Sequence, residues 1–146
     1  MHLRTITLVL CFWFAFPLMA LAVDFTGTWT LDIRSKAERK QGIECGFATF
    51  DLKQSGEKII GEHTFATPGC GRINEGGEGT VKGTITGKIA TLEVTSGRNG
   101  AVVRGKATLQ GHSLNWVTIE EIKAGEPEGD SPLILDKGIL TLVRSK

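Results

Sequence analysis

The feature that most constrains the fold is a repeated pattern of short β-favouring runs, rich in Thr, Val and Ile, separated by glycine-bearing turns. The pattern begins at Phe25 and recurs at intervals of roughly a dozen residues, which is typical of all-β domains. It is clearest in the first run, where Trp29, Leu31 and Ile33 share one face and threonines occupy the other. That alternation predicts a half-buried strand. Helical periodicity is not sustained at any point in the sequence.

Eight such strands are predicted. Their approximate ranges are 25–33, 45–53, 58–66, 80–85, 88–95, 101–109, 113–122 and 138–144. Long and short connections alternate between them, so in an up-and-down arrangement all the long loops meet at one end. The short turns are 55–56, 86–87 and 110–112, and the long loops are 34–43, 67–79, 96–100 and 123–132. The sequence therefore predicts an eight-stranded antiparallel up-and-down barrel with one closed and one open end. An open sandwich built from the same strands is the alternative.

The first 22 residues have the organisation of a secretory signal peptide. Arg4 precedes an apolar run at 8–16, and small residues at 20–22 follow. The run is about half the roughly 20 residues that a membrane-spanning helix needs. We therefore expect cleavage between Ala22 and Val23 and a periplasmic or secreted product without a membrane span.

The mature chain is predicted to be one domain, residues 23–146, with balanced charge. Removal of the first 22 of the 146 residues leaves 124, which is enough for a single core. Of the 17 Lys and Arg residues only Arg4 lies in the leader, so 16 remain against the 16 Asp and Glu residues. Nucleic-acid binding needs uncompensated positive charge, so a nucleic-acid partner is not expected.

Two of the three cysteines, Cys45 and Cys70, belong to the mature chain. An even pair in an exported protein normally oxidises, and we expect one structural disulfide. It would close a loop of about 25 residues and stabilise the fold by roughly 3 kcal/mol. A redox or zinc role is less well supported, because the Cys-x-x-Cys spacing and a nearby histidine pair are both missing.

The first strand carries a motif that points to a family. The segment Phe25-Thr26-Gly27-Thr28-Trp29 places Gly-x-Trp on the first strand of a small eight-stranded barrel. In this the chain resembles the calycin group, the lipocalins and avidins. An arginine near the chain end commonly covers the first-strand tryptophan in that group, and Arg144 is similarly placed here. The resemblance implies structural roles for Trp29 and Arg144, joined in a cation–π stack at the closed end.

Two subfamilies of this architecture are similar to the chain in different respects. The avidins are similar in length and in a late-strand tryptophan, here Trp116, but Leu31 stands where they carry an asparagine, and tyrosine is absent. Biotin binding is therefore not expected. The bacterial periplasmic inhibitors of secreted metalloproteases are similar in their export signal, Gly-x-Trp opening and lone disulfide. They use an N-terminal segment to enter the protease cleft, whereas only Val23 and Asp24 precede Phe25 here.

The sequence offers no recognisable catalytic or metal-binding set. A Gly-x-Ser-x-Gly elbow and a complete phosphate-binding loop are both missing. The mature chain has two histidines, and the predicted barrel separates them, with His63 near the open end and His112 in a turn at the closed end. We therefore expect a protein that is not an enzyme and that uses neither a metal nor a cofactor.

Ligand contacts are expected on the inner face near the open end. His63 and Phe65 share one face of the third predicted strand, and Trp116 lies opposite on the seventh. Many inward positions are small, so the barrel either encloses an apolar cavity or packs solid. The predicted inward set is Ala48, Phe50, Leu52, Val81, Gly83, Ile85, Ala90, Leu92, Val94, Val103, Gly105 and Ala107. The leading hypothesis is an exported binding protein that takes a small, mainly apolar ligand through the open end, with His63, Phe65 and Trp116 as contacts.

Charged residues segregate around the predicted open end. The first long loop holds Arg34, Lys36, Arg39 and Lys40, and the last holds Glu126, Glu128 and Asp130. Loops of opposite charge attract each other, and a polar rim of this kind also suits recognition of a protein. The alternative hypothesis is therefore a periplasmic or secreted protein-binding inhibitor, for example of a protease, that acts through the long loops.

Overall fold

A computed structural model of the chain describes residues 22–143. The predicted signal peptide, apart from Ala22, lies outside the described residues, so the division of the chain at residue 22 stays a prediction. Arg144 also lies outside them, and its predicted stack on Trp29 stays a prediction.

Strands account for nearly all the regular structure of the described residues. The elements are β1 Gly27–Asp32, α1 Lys36–Lys40, β2 Cys45–Ser55, β3 Lys58–Pro68, β4 Ile73–Asn74, β5 Val81–Thr86, β6 Ile89–Thr95, β7 Val102–Gln110, β8 Ser113–Lys123 and β9 Lys137–Val143. Eight of the strands are the predicted ones, with boundaries shifted by a few residues. The sequence prediction did not include α1 or β4.

The eight long strands form a closed antiparallel barrel. Hydrogen-bonded neighbours run in the order β2-β1-β9-β8-β7-β6-β5-β3, and β3 returns to pair with β2. This closure confirms the predicted barrel and excludes the open sandwich. The two-residue strand β4 pairs with β3 beyond the residues that pair with β5, and Ile73 lies opposite Ala66.

The short turns close one end, as predicted. The hairpins β2–β3, β5–β6 and β7–β8 turn at Gly56, Gly87 and Gly111, whose φ angles of 60°, 62° and 59° lie in the left-handed region that glycine adopts most easily. Phe25 is fully buried before β1 begins. Its amide donates to Oε1 of Gln54 (2.8 Å) and its carbonyl accepts from the Trp29 indole (2.9 Å), so side chains rather than strand pairing hold it.

The predicted disulfide is confirmed. Cys45 at the start of β2 is bonded to Cys70 in the loop between β3 and β4, with 5.3 Å between the two Cα atoms. It therefore joins the start of β2 to the β3–β4 loop at the open end.

The inner face carries the core, and the predicted inward residues lie there. Phe50, Leu52, Leu92 and Trp116 are among the largest fully buried side chains. A Cβ atom added to Gly105 of β7 would lie 2.3 Å from the Trp116 ring, so this glycine is required for the close approach of the ring. The absence of a side chain at Gly105 thus makes room for Trp116.

The missed helix α1 has a local sequence signal. Its cap, Ser35, accepts a hydrogen bond from the amide of Glu38, and the Glu38 carboxylate accepts from the amide of Ser35. This reciprocal capping box is visible in the sequence as Ser-x-x-Glu. The helix was not predicted because it is five residues long and buries none of them, so its sequence has no apolar periodicity.

Candidate functional site

The three residues predicted to contact a ligand lie on the inner faces of β3 and β8. His63 and Trp116 are fully buried, and Phe65 is half-buried against the core. The Phe50 ring lies between two of them, with its centroid 4.3 Å from the His63 ring and 5.1 Å from the Trp116 ring. The barrel therefore brings His63 and Trp116 together around Phe50, while Phe65 lies farther towards the open end, paired with Asn74 of β4.

Residues 131–136 fill the space between these side chains and the open end. We call this stretch, which precedes β9, the closing segment. Its Leu133 and Leu135 side chains are only 5% and 6% exposed. Leu135 belongs to the same apolar core as Trp116, and Ile134 packs against it. The open end of the barrel is therefore filled by the chain itself.

His63 is held as a neutral imidazole by the closing segment. The amide of Leu135 donates to Nε2 (3.1 Å), so the proton resides on Nδ1, which donates to the carbonyl of Thr49 (2.8 Å). Burial lowers the pKa of His63 to about 4, and the bond to Thr49 opposes that shift only in part. Both ring nitrogens are thus already engaged, and the ring is not poised for acid–base chemistry near neutral pH.

Trp116 binds the backbone carbonyl of the same residue, Leu135. Its indole N–H donates to the carbonyl of Leu135 (2.7 Å), and the hydroxyl of Thr118 donates to the same oxygen (3.2 Å). His63 therefore accepts a hydrogen bond from the amide of Leu135, and Trp116 donates one to the carbonyl of the same residue.

Two buried polar side chains that sequence reasoning missed bind the rest of the closing segment. The Ser96 hydroxyl donates to the carbonyl of Pro132 (2.7 Å), and the Asn74 amide donates to the carbonyl of Leu133 (3.2 Å). These contacts join residues 36 and 59 positions apart, which explains why no local pattern revealed them. The one available signal was the apolar run Leu133–Leu135, which stands out in an otherwise polar loop.

The predicted rim charges do not pair with each other. Arg34 bonds Asp32 (2.8 Å), lowers the pKa of that carboxyl to about 2 and lies 4.8 Å from the centroid of the Phe47 ring. Asp130 pairs instead with Arg98 (3.1 Å) in the β6–β7 loop. Among residues 22–143, no ion pair joins the basic loop to the acidic one. The two groups thus form separate charged surfaces at the open end.

Two surface depressions lie on the outside of the barrel rather than within it. One, of about 470 Å³, is lined by parts of β3, β5 and β6 with Arg104. The other, of about 390 Å³, lies across β2 and β3 beside Glu78. Arg104 in the first is occupied by ion pairs to Glu93 (2.8 Å) and Glu120 (2.5 Å). Neither depression includes His63, Phe65 or Trp116.

Over the described residues, no group of three or more His, Cys, Asp or Glu side chains is arranged to hold a metal ion. That part of the chain also holds no helix with the length and hydrophobicity that crossing a bilayer requires.

Comparison of the chain with protein-family models, with curated proteins and with solved structures finds no match. The fold itself is a small closed eight-stranded antiparallel barrel, which is consistent with a calycin-like architecture. Membership of the calycin group or of the inhibitor family stays a prediction. The disulfide, for its part, fits a protein of an oxidising compartment.

Proposed function

We propose that this protein is an exported, non-enzymatic binding module that recognises another protein through the loops at its open end. The observation that carries the proposal is the closing segment. It occupies the approach to His63 and Trp116 and uses their hydrogen-bonding groups, so a small apolar ligand would have to displace it to reach them. The groups that remain accessible belong to the loops.

The loop surface has the chemical character of a protein-binding rim. Lys36, Arg39 and Lys40 are exposed on α1, a helix that buries no residue and so adds nothing to the core. Glu126 and Glu128 are exposed on the acidic loop. Separated charges of both signs favour a partner with complementary charge and fix its orientation.

The test is capture of a partner with matched variants. The mature protein would be immobilised, cross-linked to proteins of its native compartment, and the captured proteins quantified by mass spectrometry. The loop variant is Lys36→Glu, Arg39→Glu and Lys40→Glu together. The control carries three equivalent changes away from the open end, Lys53→Glu, Lys58→Glu and Lys88→Glu. We expect wild type and control to retain the same partner protein. The loop variant should capture at least tenfold less of it.

Equal retention by all three forms, or capture of nothing, would contradict the proposal. Native mass spectrometry of protein purified from its own compartment addresses the competing hypothesis. A small apolar molecule found bound in stoichiometric amount would favour the ligand carrier over the protein-binding module.

A further inference from the structure

The buried polar side chains of this barrel all form hydrogen bonds with one stretch of main chain. Among residues 22–143 the buried polar or charged residues are His63, Asn74 and Ser96. Each one hydrogen-bonds a backbone atom of residues 132–135. Trp116 adds its indole N–H to the same stretch. The interior of the barrel is therefore a site built for a polypeptide backbone.

The groups recognised are those that any extended peptide carries. The site forms hydrogen bonds with the carbonyls of Pro132, Leu133 and Leu135 and with the amide of Leu135. Side chains contribute through apolar burial at two positions, Leu133 and Leu135, with Ile134 less buried between them. The specificity that follows is for a short peptide with the pattern Leu-x-Leu.

The same chemistry disfavours a purely apolar occupant. Without the closing segment, four groups would lose a hydrogen-bond partner: Nε2 of His63, the indole N–H of Trp116, the amide N–H of Asn74 and the hydroxyl proton of Ser96. Leaving a buried polar group without a hydrogen-bond partner is unfavourable, so an occupant must supply carbonyl and amide groups of its own. A peptide does this, and a hydrocarbon chain does not.

The closing segment can leave the barrel without dismantling the sheet. It lies between the exposed stretch 124–129 and the start of β9, and its one bond to a barrel-strand backbone runs from the Thr118 amide to the Asp136 carbonyl (2.7 Å). Leu133 has φ of 50°, a left-handed conformation that is unfavourable for a residue with a side chain.

We propose that the open end of the barrel is a peptide-binding site, and that residues 131–136 are a tethered occupant which a Leu-x-Leu segment of another protein replaces. This rests on the proposed function and deepens it, because it names the part of the partner that the open end takes.

The experiment uses a fluorescently labelled peptide with the sequence of residues 131–136, blocked at both ends. The mature protein is compared with a variant carrying Leu133→Gly and Leu135→Gly, which keeps the loop length but removes both apolar anchors. Circular dichroism first checks that the variant is folded. We expect saturable binding to the variant, at least tenfold tighter than to wild type, because the tethered competitor has been weakened.

A control peptide separates backbone recognition from apolar adhesion. It is N-methylated at the position of Leu135, so that a methyl group replaces the hydrogen that the amide donates to Nε2 of His63. We expect it to bind the variant about tenfold more weakly or worse. A folded variant that fails to bind the first peptide, or that binds both equally, overturns the proposal.

If the variant does not fold, wild type decides the question. Excess unmodified peptide should shift the Trp116 indole N–H resonance of the 15N-labelled protein, and the N-methylated peptide should not. An unchanged resonance at millimolar peptide overturns the proposal. Neither result alters the capture experiment on the loop charges, so failure of the peptide site and failure of the protein-binding module are distinguishable.

Discussion

At the scale of single residues, His63 shows how a polar side chain can belong to the core. A histidine near the open end of a predicted barrel suggested a ligand contact, which stays a prediction. The ring is fully buried, and both of its nitrogens bond to backbone groups. It is stacked on Phe50 as an aromatic core residue would be. Burial favours the neutral form of the His63 ring. The free energy of unfolding should therefore depend on pH.

Acidification should destabilise the protein through His63. Between pH 6.5, which is the ordinary pKa of histidine, and the folded pKa of about 4, the unfolded state binds more protons than the folded state. The free energy of unfolding should therefore fall as the pH falls through this window, by about 3 kcal/mol in total at 1.36 kcal/mol per pH unit. Urea unfolding of wild type and His63→Gln at several pH values measures the effect.

The glutamine variant removes the titration while its amide can still donate and accept a hydrogen bond. His112 is common to both proteins, so its contribution cancels in the difference. Stability curves for wild type and His63→Gln that run parallel from pH 7 to pH 4 would show that His63 does not control the acid limb.

At the scale of elements, the contact between β7 and β8 depends on a glycine, Gly105, at one position of β7. Gly105 faces Trp116, and an added Cβ would lie 2.3 Å from the ring and 2.5 Å from the carbonyl oxygen of Val117. We expect Gly105→Ala to cost about 1–3 kcal/mol, as overpacking typically does. Gly71→Ala is the matched control, because its Cβ would meet nothing closer than 3.9 Å. Thermal unfolding compares the two, and equal melting temperatures would contradict the expectation.

Elements also show how far the sequence could predict the site. The faces of the strands follow from alternation within a few residues, and the closed end follows from Gly56, Gly87 and Gly111, so both are local properties. The closing segment is different, because Leu135 meets His63 across 72 positions. A pattern read along the chain does not contain such a contact, and residues 133–135 match neither a turn nor a long strand.

At the scale of the whole molecule, the disulfide ties β2 to the β3–β4 loop beside the open end. Closing a loop of about 25 residues should stabilise the protein by roughly 3 kcal/mol, chiefly by restricting the unfolded chain. We expect Cys45→Ser with Cys70→Ser to lower the free energy of unfolding by about that amount, measured by urea denaturation. Wild type treated with a reducing agent is the control and should show the same loss. A reduced protein with an unchanged midpoint would mean that the bond contributes little.

Closure of the barrel also governs how copies of this molecule meet at high concentration. All eight barrel strands have hydrogen-bonded neighbours on both sides, and among the described residues only the two-residue β4 ends the sheet. Long unpaired strand edges are the usual template on which chains add to one another and aggregate. Over residues 22–143 the molecule presents almost none, so crowding should not convert the folded protein into edge-to-edge fibrils, although nine large apolar side chains in that part of the chain are exposed.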